Sequence, residues 1–211
     1  IGEAAFYHCL SLTSISIPDG VTSIGVGAFV NCTRLTSITI PDSVTSIGAG
    51  AFGGCLSLTS IEVGAGNLNY TDVNGVLFDK EKTVLHTYSA GKTDTNYTVP
   101  DSVRGIGSSA FYKCNNLTSI KFGENSQLGS IGLSAFSNCK SLAAIILPNS
   151  VTSIGESAFG SCESLTDITI PDSVISIGVL AFGSCNSLTS ITIPDSVTSI
   201  GKYAFSWCSR L

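Results

Sequence analysis

The sequence has no methionine, a single tryptophan and only 12% charged residues. Its apolar runs are only a few residues long, so we expect neither a signal peptide nor a segment inserted in a membrane. The chain has fifteen acidic and ten basic residues. This acidic balance and the absence of a Lys/Arg cluster argue against nucleic acid or anionic membranes as partners. Because the chain begins at Ile1, we expect it to be a segment of a longer protein.

Catalytic and ligand-binding motifs are also missing. There are only two histidines, His8 and His86, and neither G-x-S-x-G, H-E-x-x-H, C-x-x-C nor a glycine-rich phosphate loop occurs. The eight cysteines recur at a regular spacing, which would place one thiol per repeat in a single column as small buried apolar groups. We therefore expect no enzymatic activity, no cofactor and no metal site.

What the sequence does have is a repeat. The dipeptide Ala-Phe occurs eight times, with successive phenylalanines 23, 23, 59, 25, 23, 23 and 23 residues apart. A cysteine follows each phenylalanine by three residues, and a leucine follows each cysteine by three. A fixed period of this length predicts a solenoid. The eight phenylalanines are Phe6, Phe29, Phe52, Phe111, Phe136, Phe159, Phe182 and Phe205.

Each repeat carries the local signals of one coil. Residues 12–17 alternate apolar and polar side chains, which predicts a strand, and Pro18-Asp19-Gly20 predicts a corner. Residues 21–24 predict a second short extended segment. The spacing of Ala28, Phe29 and Cys32 predicts a short helical turn. The fold class predicted is a repeat solenoid, mainly β with short helical turns, stacked into an arc or rod.

The repeat resembles the BspA-type leucine-rich repeat. The motif I-G-x-x-A-F-x-x-C occurs in all eight copies and I-x-I-P in four, and the resemblance covers nearly the whole chain. It implies a bacterial or protist protein that is secreted or displayed at the cell surface. It also implies adhesion or ligand binding, with host extracellular matrix among the candidate ligands.

One stretch, about 64–96, departs from the repeat. It lacks the A-F-x-x-C signature, and polar residues 79–82 separate the apolar clusters at 76–78 and 84–85, which predicts a β-hairpin. A second departure is a lengthening of two residues within 123–129. Neither has the composition of a linker, so we predict one domain over residues 1–211.

A column of aspartates follows the corner prolines. Stacked carboxylates can bind calcium, but each coil contributes a single residue, and Asp is also typical of tight turns. We favour the turn role, with Pro at the second and Asp at the third turn position. The column is formed by Asp19, Asp42, Asp101, Asn149, Asp172 and Asp195.

The outward residues of the first strand of each coil form what we call the open strand face. Most are Ser or Thr, and the exceptions mark the predicted binding site for a protein or glycan, since outward variation carries specificity. Two alternatives remain: a purely structural spacer, and a Ser/Thr face that orders water or ice. Two tyrosines of the irregular stretch are included because tyrosine is favoured at binding sites; the alternative is that they cap the core where the coil pattern lapses. The predicted site residues are Glu62, Lys121, Ile146, Asp167, Tyr70 and Tyr88.

Overall fold

The computed structural model describes all 211 residues and contains sixteen short β-strands and no helix. The strands are β1 (Ser23–Ile24), β2 (Ser37–Ile40), β3 (Ser46–Ile47), β4 (Ser60–Val63), β5 (Tyr70–Val73), β6 (Val76–Asp79), β7 (Val84–Thr87), β8 (Asn96–Val99), β9 (Gly105–Ile106), β10 (Ser119–Phe122), β11 (Ser130–Ile131), β12 (Ala144–Ile146), β13 (Ser153–Ile154), β14 (Asp167–Thr169), β15 (Ser176–Ile177) and β16 (Ser199–Ile200).

The strands confirm the predicted solenoid. Equivalent strands of neighbouring coils pair in parallel, so that Ile38 of β2 lies opposite Ile61 of β4 and Ile154 of β13 lies opposite Ile177 of β15. Each coil thus contributes to two sheets, one of long strands (β2 and β4; β8, β10, β12 and β14) and one of two-residue strands. In the first and last coils, the segments 13–17 and 189–193 are equivalent in sequence to the long strands but form no strand.

The predicted helical turns are wrong. In the segment 25–32, the Ala28 and Cys32 N–H groups donate to carbonyls three residues earlier, whereas the Phe29 N–H donates to Ala51 O of the next coil at 2.7 Å. Gly27 and Asn31 have φ of 59° and 58°, and left-handed residues at these positions are typical of type II turns and interrupt a helix. The segment is a pair of β-turns tied to the neighbouring coil.

The abundant hydroxyl groups extend the ladders between coils. Thr36 Oγ1 donates to Thr13 O, and Thr152 Oγ1 donates to Gly129 O, each reaching the equivalent residue of the preceding coil. At the corners, Ser173 Oγ donates to Val151 O at 2.6 Å. Ser and Thr therefore satisfy backbone carbonyls on a surface that has few charges.

The irregular stretch forms a three-stranded antiparallel unit. Strand β6 pairs with β7, which confirms the predicted hairpin, and β5 adds a further antiparallel partner for β6 that was not predicted. Strand β7 continues into the solenoid by pairing in parallel with β9. The unit thus joins the regular coils on its C-terminal side through a shared sheet.

Strand β6 separates two hydrophobic cores of 17 and 36 buried residues. Because successive side chains of a strand point to opposite faces, Leu77 packs into the N-terminal core, whereas Val76 and Phe78 pack into the C-terminal core. All three are at most 1% exposed. The strand is therefore a wall shared by two stacks of coils.

Phenylalanine rings stack within each core. Phe6, Phe29 and Phe52 form one file, and a second file runs from Phe111 to Phe205, with ring centroids 4.9–5.5 Å apart in both. The eight phenylalanines thus form two files, which the β5–β7 unit separates. All eight cysteines are free, and seven of the thiols donate to backbone carbonyls, as Cys139 Sγ does to Phe111 O at 2.9 Å.

Candidate ligand-binding groove

A groove of about 800 Å³ crosses the open strand face at β10 and β12. Its floor includes the outward residues Lys121 and Ile146, and one wall is the lengthened corner 123–127. The corner of the next coil, which includes Pro148 and Asn149, lies beside it at the same end of the strands and also lines the groove. The volume lies within the range of about 300–1,000 Å³ that is usual for ligand pockets.

The lengthened wall is anchored to the fold. The Ser126 N–H donates to Gly123 O at 3.0 Å, and Leu128 is fully buried. From the next coil, Ser150 Oγ donates to Leu128 O at 2.8 Å. A wall held from both sides keeps its shape before a ligand arrives, which lowers the entropic cost of binding.

Three of the predicted site residues lie close together on this sheet. Lys121 is exposed on β10 opposite Thr98 of β8, Ile146 is 79% exposed on β12 opposite Thr169 of β14, and Asp167 is exposed on β14 opposite Ala144. Lys121 and Ile146 line the groove, and Asp167 lies one strand beyond it. An isoleucine this exposed gains by being covered, because burial of apolar area is favourable.

Glu62 belongs to a different sheet. It is exposed on β4 opposite Thr39 of β2, and that two-stranded sheet does not pair with β8. The turn between β5 and β6 lies against β4, where the Ile61 N–H donates to Gly75 O at 3.3 Å. The structure therefore does not place Glu62 in the groove with Lys121.

The prediction of Tyr70 as a surface contact is wrong. Its side chain is 8% exposed and packs into the N-terminal core. The Ile47 N–H donates to Tyr70 Oη at 2.8 Å, so the hydroxyl acts as an acceptor at the place where the β1–β3 sheet ends. Burial raises the pKa of the Tyr70 hydroxyl. The ring also meets His86 edge-on at 5.3 Å.

The prediction of Tyr88 as a surface contact is wrong for a similar reason. Tyr88 is 2% exposed, and its ring stacks on Phe111 at 5.3 Å, at the start of the second phenylalanine file. Its hydroxyl donates to Asp94 Oδ2 at 3.1 Å. Burial, reinforced by the Asp94 carboxylate, raises the pKa of the Tyr88 hydroxyl. Tyr88 therefore takes the place of a core phenylalanine in the irregular coil.

Sequence reasoning did not assign the walls of the groove to the site. Glu124, Gln127 and Asn149, in the two neighbouring corners that line the groove, are exposed and polar. The available signal was the interval of 25 residues between Phe111 and Phe136, where the regular interval is 23. A corner lengthened by two residues must project from the coil, and the projection forms the wall.

The aspartate column has a turn role. The Val44 N–H donates to Pro41 O at 3.1 Å, so Pro41 is the first and Asp42 the second residue of the turn, one position earlier than predicted. The carboxylates of Asp42 and Asp101 lie over Gly64 and Gly123 of the next coil. No three acidic, histidine or cysteine side chains come together as metal ligands, and no helix could span a membrane.

Comparison with known sequences and structures gives consistent results. The family described as the BspA type leucine-rich repeat region matches residues 1–84 and 86–211 in six copies. The structure of a leucine-rich cell surface protein from Faecalibacterium prausnitzii is similar over 100% of this chain and 61% of its own, with 33% identity and a TM-score of 0.85. No curated protein matches.

Two further structures resemble the chain. The pneumococcal vaccine antigen PcpA is 27% identical over 93% of this chain and 55% of its own, with a TM-score of 0.78. A leucine-rich repeat protein of T. pallidum is 32% identical over 93% of this chain and 75% of its own, with a TM-score of 0.55. The chain thus spans less than two thirds of the cell surface protein and of the vaccine antigen.

Proposed function

Because the chain belongs to the BspA-type leucine-rich repeat family, we propose that it is a non-catalytic recognition or adhesion module that binds a protein or glycan through its open strand face. The observation that carries this proposal is the groove over β10 and β12, where an exposed isoleucine and a lysine stand at an outward position that is Ser or Thr in most other coils. Concave sites with apolar and a few polar groups are the usual sites of binding.

The proposed location is the cell surface or the extracellular space. One similar structure is described as a leucine-rich cell surface protein and another as a vaccine antigen, and both descriptions are compatible with exposure to a host. Host extracellular matrix is therefore the first class of ligand to test. The scarcity of charge on the surface favours affinity assembled from many short-range contacts rather than long-range steering.

Binding of the purified chain to immobilised matrix proteins and to a glycan array tests the proposal. Saturable binding that Lys121→Glu weakens at least tenfold would support it. Lys202→Glu is the matched control, because Lys202 is an exposed lysine on the last coil, far along the chain from the groove. The affinity of Glu62→Lys shows whether the separate β2–β4 sheet contributes to binding. Absence of saturable binding to every protein and glycan would contradict the proposal.

A spacer is the second candidate function. It is favoured by the near-identity of the coils outside the groove, since residues 35–48 and 188–201 have the same fourteen letters. A spacer would bind nothing in the same screens. Deletion of one complete 23-residue coil from the displayed protein would then affect cell attachment only because the spacer becomes shorter, and the effect would be the same whichever coil is removed.

A further inference from the structure

On the strand surface of the groove, the cation Lys121 lies near the exposed apolar side chain of Ile146, and the carboxylate of Glu124 belongs to the adjoining corner. Among the outward residues of the six long strands, Lys121 is the only cation, and neither of the two salt bridges of the protein involves it. Ile146 is 79% exposed, whereas the row to which it belongs carries threonine at Thr98 and Thr169. These two adjacent exceptions require a common explanation.

Register places the two side chains side by side. Ser119 of β10 lies opposite Ala144 of β12, and Ile120 lies opposite Ile145. The next pair along the same two strands is Lys121 and Ile146, which therefore project from the same face as neighbours about 5 Å apart at their backbones. A ligand that covers Ile146 must also approach the ammonium group of Lys121.

We propose, on the basis of the function proposed above, that the groove binds an acidic segment of a partner protein, with an aliphatic side chain on Ile146 and a carboxylate beside Lys121. Because Lys121 makes no salt bridge, its ammonium group is available to a carboxylate of the ligand, and an exposed isoleucine favours an apolar group. A peptide supplies both within two or three residues.

A glycan fits the groove less well. Sugars pack against flat aromatic rings, and the only aromatic residue that lines the groove is Phe122, which is half-buried at the end of β10. Tyr70 and Tyr88, the aromatic residues that the sequence suggested, lie in the cores. An acidic sugar would satisfy Lys121 but would leave Ile146 without an apolar partner.

A library of random nonapeptides, acetylated and amidated so that their ends carry no charge, provides the test. Selection on the intact chain is expected to enrich Asp or Glu within three positions of Leu, Ile or Val. Resynthesised peptides should bind Lys121→Glu and Lys121→Ala at least tenfold more weakly than the native protein, and Ile146→Thr about tenfold more weakly. Raising the salt concentration should also weaken binding, because the lysine is exposed.

Two controls make the outcome decisive. Lys202→Glu should retain the selected consensus, and circular dichroism should show that the variants fold, since both groove residues are exposed. The inference is overturned if no acidic-aliphatic consensus emerges, if the peptides bind Lys121→Glu as well as the native protein, or if only glycans bind in the groove. If the protein binds matrix proteins with an affinity that neither groove substitution changes, this inference is overturned, whereas the proposed recognition function is not.

Discussion

The Lys113 ammonium group donates a hydrogen bond to Asn31 Oδ1 at 2.9 Å, although 82 residues separate the two along the chain. The contact passes across Gly54, at which an added Cβ would lie 2.5 Å from Asn31 Oδ1 and 3.1 Å from the Tyr112 ring. On this side of the solenoid, the turn at 50–54 therefore lies directly against the turn at 109–113, while β5–β7 separate the coils elsewhere.

Substitution of Gly54 by alanine is expected to destabilise the protein. Gly54 has a φ of 71°, which disfavours any other residue, and the new Cβ would displace the amide that Lys113 contacts. We expect the free energy of unfolding to fall by about 1–3 kcal/mol, measured by denaturant titration. Gly20→Ala is the control, because an added Cβ there has no atom within 4 Å, and an equal loss in both variants would contradict the argument.

Strand β6 offers a way to disturb each core separately. Leu77→Ala should create a cavity in the N-terminal core, and Phe78→Ala one in the C-terminal core, each lowering the free energy of unfolding by about 2–5 kcal/mol. Amide hydrogen exchange should accelerate mainly in residues 24–61 for the first variant and mainly in residues 99–188 for the second. Leu68→Ala, at a side chain that is 82% exposed, should change neither region. Uniform acceleration in both core variants would show that the two stacks unfold as one unit.

The role of Tyr70 can be tested by removing only its hydroxyl group. Tyr70→Phe would leave the buried Ile47 N–H without its acceptor, and we expect a loss of about 1–3 kcal/mol in the free energy of unfolding. Tyr203→Phe, at a ring that is 55% exposed, should be neutral. Because Tyr70 lies in the core, the substitution should leave ligand affinity unchanged, and a loss of affinity in a stably folded variant would restore Tyr70 to the binding site.

The sequence was informative about the regular coils and about the hairpin of the irregular stretch. The period of 23 residues predicted the coils, and the apolar clusters at 76–78 and 84–85 predicted the hairpin. The helical turn was mispredicted because Ala28, Phe29 and Cys32 share one face in a helix and also point inward in a pair of β-turns. Tyr88 could have been placed correctly, since it stands 23 residues before Phe111. The burial of β6 on both faces could not be predicted, because it depends on which coils pack against each face. The local sequence pattern does not contain that tertiary information.

The left-handed turn residues provide a route to stabilisation. Ser157 and Ser161 have φ of 52° and 59°, a conformation that is costly for residues with a Cβ, while Gly27 and Gly54 already occupy the respective equivalent positions of other coils with positive φ. Ser157→Gly and Ser161→Gly should each raise the free energy of unfolding by about 0.5–1 kcal/mol in denaturant titrations. Ser153→Gly, within β13, should lower it by a similar amount. Destabilisation by both turn substitutions would contradict the argument that the left-handed conformation of the two serines is costly.

Buried thiols should make the solenoid sensitive to alkali. Burial raises the pKa of Cys55 and of Cys185 from 9.0 to about 12. An unfolded chain releases these protons above pH 9, whereas the folded chain keeps them, so unfolding becomes easier as pH rises. The stabilisation is complete below pH 9 and is lost progressively between pH 9 and 12, by at most about 1.4 kcal/mol per pH unit for each thiol.

Replacement of one thiol separates this effect from other alkaline titrations. Cys185→Ser keeps a donor for Phe159 O, which the thiol now contacts at 3.2 Å, but it does not titrate in this range. Denaturant titrations under reducing conditions from pH 8 to 11 should therefore give a shallower fall in the free energy of unfolding than the native chain gives. Ser190→Ala, at an exposed position, should retain the native slope. If Cys185→Ser and the native chain lose stability in parallel above pH 9, the Cys185 thiol has the same pKa in the folded and the unfolded chain. Its burial would then have no part in the alkaline transition.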